Sequence, residues 1–157
     1  MTPQYFSMPT IELAIKQKKF NSESHKLLVN ILYTSSWIER IHQRFFKLHG
    51  ITSQQYNVLR ILRGQYPSAA SVGIVLDRMI DKASNITRLV DKLAAKKYVS
   101  RTENPENRRM QQLLITQKGL EFLATLDPLV DTQFNISEKI NDAEAKLLND
   151  LLNRLRN

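Results

Sequence analysis

The side chains with the most chemistry to offer cluster past the middle of the chain: Ser84, Asn85, Thr87, Arg88 and Lys92, followed by the pair Arg108 and Arg109. That chemistry is hydrogen bonding and charge rather than bond breaking. An arginine grips guanine through two parallel hydrogen bonds, short Ser, Asn and Thr side chains let the backbone approach base edges, and a lysine neutralises phosphate. Lys92 reads equally well as a solvated lysine on a helix surface. Covalent and metal chemistry find nothing comparable. The chain has no cysteine, which removes thiolate ligands, disulfides and thiol nucleophiles together. The ligand-like spacing Glu39 to His42 stands alone, with His25 and His49 well separated along the chain. No glycine-rich phosphate loop, Ser/His/Asp elbow or carboxylate cluster occurs, so the expectation is a protein with no catalytic residues, no metal and no cofactor.

Charge is distributed to match. The net charge is +8, and residues 52–120 carry twelve Lys and Arg against five Asp and Glu, whereas residues 121–157 carry four against seven. The positive potential therefore centres on the segment that holds the clustered side chains, and a polyanion is its natural partner. The absence of cysteine suits a reducing cytoplasm. No charged-then-apolar leader pattern opens the sequence, and no apolar run approaches the roughly 20 residues a membrane helix needs. A cytoplasmic protein with no membrane partner is expected.

Those side chains can act only if helices aim them. Ser71 has the properties of an N-cap, and Val72, Val75, Leu76 and Met79 follow at helical spacing, which predicts a short helix. A second set, Ile86, Leu89, Val90 and Leu93, predicts another helix beginning near Asp81 or Lys82. Its apolar stripe leaves Ser84, Asn85 and Arg88 outward, with Thr87 at the margin. Two short, closely joined amphipathic helices form a helix-turn-helix pattern, in which the second helix enters the major groove. After Lys97 the periodicity changes to that of strands at 98–102 and 110–115, joined by the turn Asn104-Pro-Glu-Asn107. This predicts a two-stranded hairpin that offers Arg108 and Arg109 to the minor groove or to phosphates, with Glu106 and Asn107 beside them.

The flanks read as helices. A short one is predicted at 11–20 and a long one at 22–49, capped by Ser22 and ended by Gly50. The long helix has two apolar stripes, one through Leu27, Ile31, Ile38, Ile41, Phe45 and Leu48 and one through Val29, Tyr33 and Trp37, and so needs two partners. Thr52 and Gln55 have the spacing of a capping box for a helix that Pro67 stops. Thr116 caps a helix to about 126, Pro128 kinks or ends it, and a leucine-rich helix closes the chain at 141–155. Five leucines on that last helix exceed what a small domain can cover, so a second copy of the chain is the simplest cover.

Four ordered motifs carry a resemblance: Thr52-Ser-Gln-Gln-Tyr56 with Val58-Leu-Arg-Ile-Leu62, Asp81-Lys-Ala-Ser-Asn-Ile-Thr-Arg-Leu-Val-Asp-Lys-Leu93, Asn104-Pro-Glu-Asn-Arg-Arg109, and Leu114-Ile-Thr-Gln-Lys-Gly119. The sequence resembles the MarR family of winged-helix transcription regulators. The resemblance implies a mainly α fold, a winged helix-turn-helix with a two-stranded β-hairpin wing and N- and C-terminal dimerisation helices. It implies one domain over residues 1–157, with 51–119 binding DNA and 1–50 and 120–157 forming the dimerisation region. It further implies a homodimer on palindromic promoter double-stranded DNA, acting as a repressor and relieved by a small-molecule effector. Ser84, Asn85, Thr87 and Arg88 are then the base readers, and Arg109 the minor-groove residue. Tyr33, Trp37, Phe45 and Phe46 would border an effector pocket or simply fill the core. Two positions depart from the family pattern: Asn107 stands where an aspartate is usual, and Lys97 where a glycine commonly ends the helix. The competing expectation is a winged-helix module that binds only protein partners.

Overall fold

Local capping chemistry sets most of the element boundaries. A computed structural model of the chain describes residues 9–103 and 111–157, so Glu106, Asn107, Arg108 and Arg109 lie outside the described residues. A short α1 (Ile11–Ala14) ends well before residue 20 because the backbone turns at Lys16, where φ is 55°. The Ser22 hydroxyl accepts the His25 N–H at 3.1 Å and opens α2 (Glu23–Leu48), which Gly50 follows at φ 73°. Thr52 Oγ1 accepts the Gln55 N–H at 3.1 Å while Gln55 Oε1 accepts the Thr52 N–H at 2.9 Å. That reciprocal pair opens α3 (Ser53–Arg63), which stops before Pro67 is reached.

Beyond α3 come β1 (Ala70–Ser71), α4 (Val72–Arg78), α5 (Ile86–Ala95), β2 (Val99–Glu103), β3 (Gln111–Ile115), α6 (Gln117–Gln133) and α7 (Asp142–Leu155). Ser71 caps α4, Thr116 caps α6, and Asn141 with Glu144 forms a full capping box on α7. Pro128 does not end its helix, contrary to one of the two outcomes expected of it. The carbonyl deprived of a donor belongs to Ala124, which is exposed, so water can replace the missing N–H.

The sheet has three antiparallel strands in the order β1-β3-β2, one more than the expected hairpin. Ala70 pairs with Leu113 and Ser71 with Gln112, while Val99 to Glu103 pair with Ile115 to Gln111. A two-residue strand has no periodicity of its own; pairing with β3 creates it.

The backbone divides into two compact units, one ending at Tyr56 and the other beginning at Asn57 within α3. In the first, Phe46 is buried, its ring stacked on Tyr56 at 4.7 Å and met edge-on by Phe45 at 5.2 Å. An ion pair between Glu12 and Lys26 joins α1 to α2, holding the Glu12 carboxyl below its usual range and the Lys26 ammonium above its own. In the second, α4 packs on β1 and β3, and α5 on α4 and β2. Val58, Leu59, Leu62, Val75, Met79, Ile86, Val90, Leu93, Leu113, Ile115, Leu123 and Leu126 are buried there. Each such aliphatic contributes about 1.5–3 kcal/mol on leaving water. Arg63 and Arg60 both pair with Asp127 of α6.

Much apolar surface stays uncovered. No residue of α7 is fully buried, and Leu147, Leu148, Leu151 and Leu155 are exposed, as are Leu27, Leu28, Leu32 and Ile38 of α2. Val29, Tyr33 and Trp37 of the second expected stripe are half-buried. Among the described residues no helix is long and apolar enough to cross a membrane.

Candidate nucleic-acid interface

The helix expected to start near residue 81 starts at Ile86, and the reason is local. Asp81 competes for the backbone: its Oδ1 accepts the Ala83 N–H and its Oδ2 accepts the Ser84 hydroxyl, both at 3.0 Å. Those bonds turn residues 81–84 into a fixed turn rather than a helix. Lys82 donates to the Asp77 carbonyl, and the Ile80 N–H donates to Asn57 Oδ1 at 3.0 Å, which anchors the turn to α3. Asn85 then caps α5, its Oδ1 accepting the Arg88 N–H at 3.1 Å.

Two of the expected base readers therefore sit before the helix. Ser84 is half-buried with its hydroxyl committed to Asp81, and Asn85 is exposed with its carbonyl oxygen committed to the cap. What Asn85 can still offer a base edge is its NH2. Thr87 and Arg88 stand in the first turn and both are exposed. Lys92 follows Arg88 by four residues and is exposed on the same side. Ile86, Val90 and Leu93 bury the opposite face. The stripe thus decides which side chains point out, and the cap decides where they begin.

The far end of α5 is held as firmly. The Lys97 N–H donates to the Ala94 carbonyl at 2.8 Å and the Tyr98 N–H to Leu93 at 3.0 Å, with Lys97 at φ 63°. This is a Schellman termination carried by a lysine. Thr116 Oγ1 donates to the Lys97 carbonyl at 2.7 Å, and Tyr98 stacks on Phe122 at 4.6 Å, which seats the start of α6 on the same turn.

A feature that one-dimensional reading does not reveal is Arg101 on β2. Its guanidinium lies 2.6 Å from Asp91 Oδ1 and 3.2 Å from the Thr87 carbonyl oxygen. Only the alternation along β2, with Val99 buried two residues earlier, hinted that Arg101 faces inward.

Other expected features stand apart from this surface. Glu39 accepts a hydrogen bond from Gln43 at 3.1 Å, and among the described residues no group of three His, Cys, Asp and Glu could hold a metal. His42 meets Phe46 edge-on at 5.9 Å, and burial pushes its imidazole below its ordinary value. A cavity of about 390 Å³ is lined by Val130, Phe134, Ile136 and Ile140 with Asp131 and Asp142, and by none of Tyr33, Trp37, Phe45 and Phe46.

A helix-turn-helix whose second helix is followed by an antiparallel sheet and buttressed by a further helix defines the winged-helix class. The MarR family model matches residues 51–110. The chain is 30% identical over 141 residues to the HTH-type transcriptional regulator SarZ of Staphylococcus aureus, covering 87% of this chain and 89% of SarZ. A crystal structure of a MarR transcription factor from Planctomyces limnophilus is 29% identical, covers 88% of this chain and 98% of its own, and superposes with a TM-score of 0.66. Sco3205 of Streptomyces coelicolor, a MarR family transcriptional regulator solved in complex with DNA, shares the fold at a TM-score of 0.74 and 16% identity, over 88% of this chain and 89% of its own. The chain belongs to the MarR family, which makes it a DNA-binding transcription regulator and not an enzyme.

Proposed function

We propose that the protein is a cytoplasmic homodimer that represses transcription by occupying palindromic promoter DNA. The observation that carries this reading is the outer face of α5: Thr87, Arg88 and Lys92 are exposed together beside the capped turn of Ser84 and Asn85. In the proposed roles Arg88 reads guanine, Asn85 and Thr87 approach neighbouring base edges, Ser84 holds the turn and meets the backbone, and Lys92 neutralises phosphate. Arg108 and Arg109, outside the described residues, are assigned to the minor groove and phosphates. Residues 51–119 form the DNA-binding region and residues 1–50 and 120–157 the dimerisation region. The uncovered leucines of α7 support the dimer, and two reading heads one DNA turn apart would account for a palindromic site. A small-molecule effector that changes the spacing or rigidity of the heads would relieve repression; this element follows from the family resemblance.

Affinity for a selected duplex, measured across a salt series, tests the reading. Arg88→Ala is expected to cost about 1–3 kcal/mol on the selected sequence and to relax its preference, whereas Lys92→Ala weakens all sequences alike. Salt-independent behaviour, or no duplex binding at all, would favour a module that binds only proteins. Deleting the gene should raise transcripts from bound promoters; a fall or no change would count against repression.

A further inference from the structure

We infer that Arg101 is a positioning residue for sequence reading: it ties β2 to the helix that carries Thr87 and Arg88, so that the sheet holds that helix against DNA in one fixed orientation. The inference rests on the DNA-reading role proposed above. Strand alternation puts Arg101 on the side of buried Val99, toward α5. From there its Nη2 reaches two acceptors, the Thr87 carbonyl oxygen at 3.2 Å and Asp91 Oδ1 at 2.6 Å. Thr87 and Asp91 are one helical turn apart. Two anchors a turn apart resist rotation of α5 about its axis as well as sliding along it, which a single anchor does not. One of them is the carbonyl of the peptide that leads directly into Arg88.

Stability alone is a poor reason for this arrangement. The Asp91 side chain is 58% exposed, so solvent screens the pair, and Arg101 Nε is buried with no hydrogen-bond partner among the described residues. An apolar side chain would fill the same place without an orphaned donor. Orientation is what the planar guanidinium supplies and an aliphatic chain cannot.

The test uses the full chain. Wild-type protein selects a duplex from a random pool, and affinities for that duplex and a scrambled one are measured across a salt series for wild type, Arg101→Met, Arg101→Lys, Asp91→Asn and the double variant Arg101→Met with Asp91→Asn. Arg101→Met is expected to lower the ratio of selected to scrambled affinity about tenfold while leaving the salt slope unchanged. Arg101→Lys keeps the charge and does not restore the ratio, because the shorter lysine side chain ends before the Nη2 position from which both acceptors are reached. Asp91→Asn, at a largely exposed position that tolerates substitution, lowers the ratio too, and the double variant loses no more than Arg101→Met alone. A slope reduced by about one with both duplexes weakened alike would make Arg101 a phosphate contact and overturn the inference. Full discrimination in both Arg101→Met and Asp91→Asn would overturn it as well, with the DNA-reading role intact. Should the wild type select no duplex, the proposed function falls and takes the positioning role with it.

Discussion

Lys97 and His42 show how single residues hold positions that their types do not favour. Lys97 adopts φ 63° because the Schellman bonds to Leu93 and Ala94 and the Thr116 hydroxyl leave the turn no other course. A side chain with a Cβ costs about 1–2 kcal/mol in that region, part of which glycine loses again through the freedom of the unfolded chain. Lys97→Gly is therefore expected to raise stability by about 0.5–1 kcal/mol, read as a higher denaturant midpoint at constant slope. An unchanged or lower midpoint would mean that the lysine side chain contributes more than the strain it brings. His42 responds to pH instead. Burial lowers its folded-state value below the ordinary 6.5, so on acidification the unfolded chain takes up the proton first. Stability then falls as pH drops through that ordinary value and levels off below the folded-state one. Thermal unfolding between pH 7.5 and pH 5.5 should show a steeper loss in the wild type than in His42→Gln, and equal losses would remove His42 from the account.

Elements are joined at a few close approaches, and the start of α6 is one of them. A Cβ on Gly119 would overlap the Tyr98 carbonyl oxygen and come within 2.8 Å of Ile115 Cγ1, so the helix can sit on the turn after α5 only if that residue is glycine. Gly119→Ala should cost about 1–3 kcal/mol, and because backbone rather than a flexible side chain stands in the way, the loss cannot be relieved by repacking. Equilibrium unfolding measures it, and a neutral outcome would require α6 to shift off the turn. The same turn bears on function, since it fixes the end of the helix whose other end carries Thr87 and Arg88.

At the scale of the molecule, the fate of the leucines decides whether the chain works alone. An isolated helix of fourteen residues is marginal in water, and α7 buries none of its residues fully. Leu147 is 60% and Leu151 44% exposed. Under the proposed dimer these side chains are covered by the second copy. Leu148→Glu with Leu151→Glu should convert the protein to a monomer in sedimentation equilibrium and weaken duplex binding by about 100-fold or more, as the second reading head is lost. A variant that remained dimeric would place the interface elsewhere.

Sequence alone determined what depends on neighbours along the chain. The caps Ser22, Ser71 and Thr116 act within three residues, and the stripe of Ile86, Val90 and Leu93 fixes the outward face of α5 by periodicity. The basic middle segment and its motifs likewise sufficed to indicate the family. Tertiary structure decided what depends on contacts across the chain. The turn held by Asp81 moved the start of α5 to Ile86, strand β1 exists through its pairing with Leu113, and Arg101 meets Thr87 and Asp91 only because β2 packs on α5. Capping and periodicity are short-ranged and repeat with the backbone, whereas a two-residue strand or a strand-to-helix bridge is specified only when distant residues are brought together.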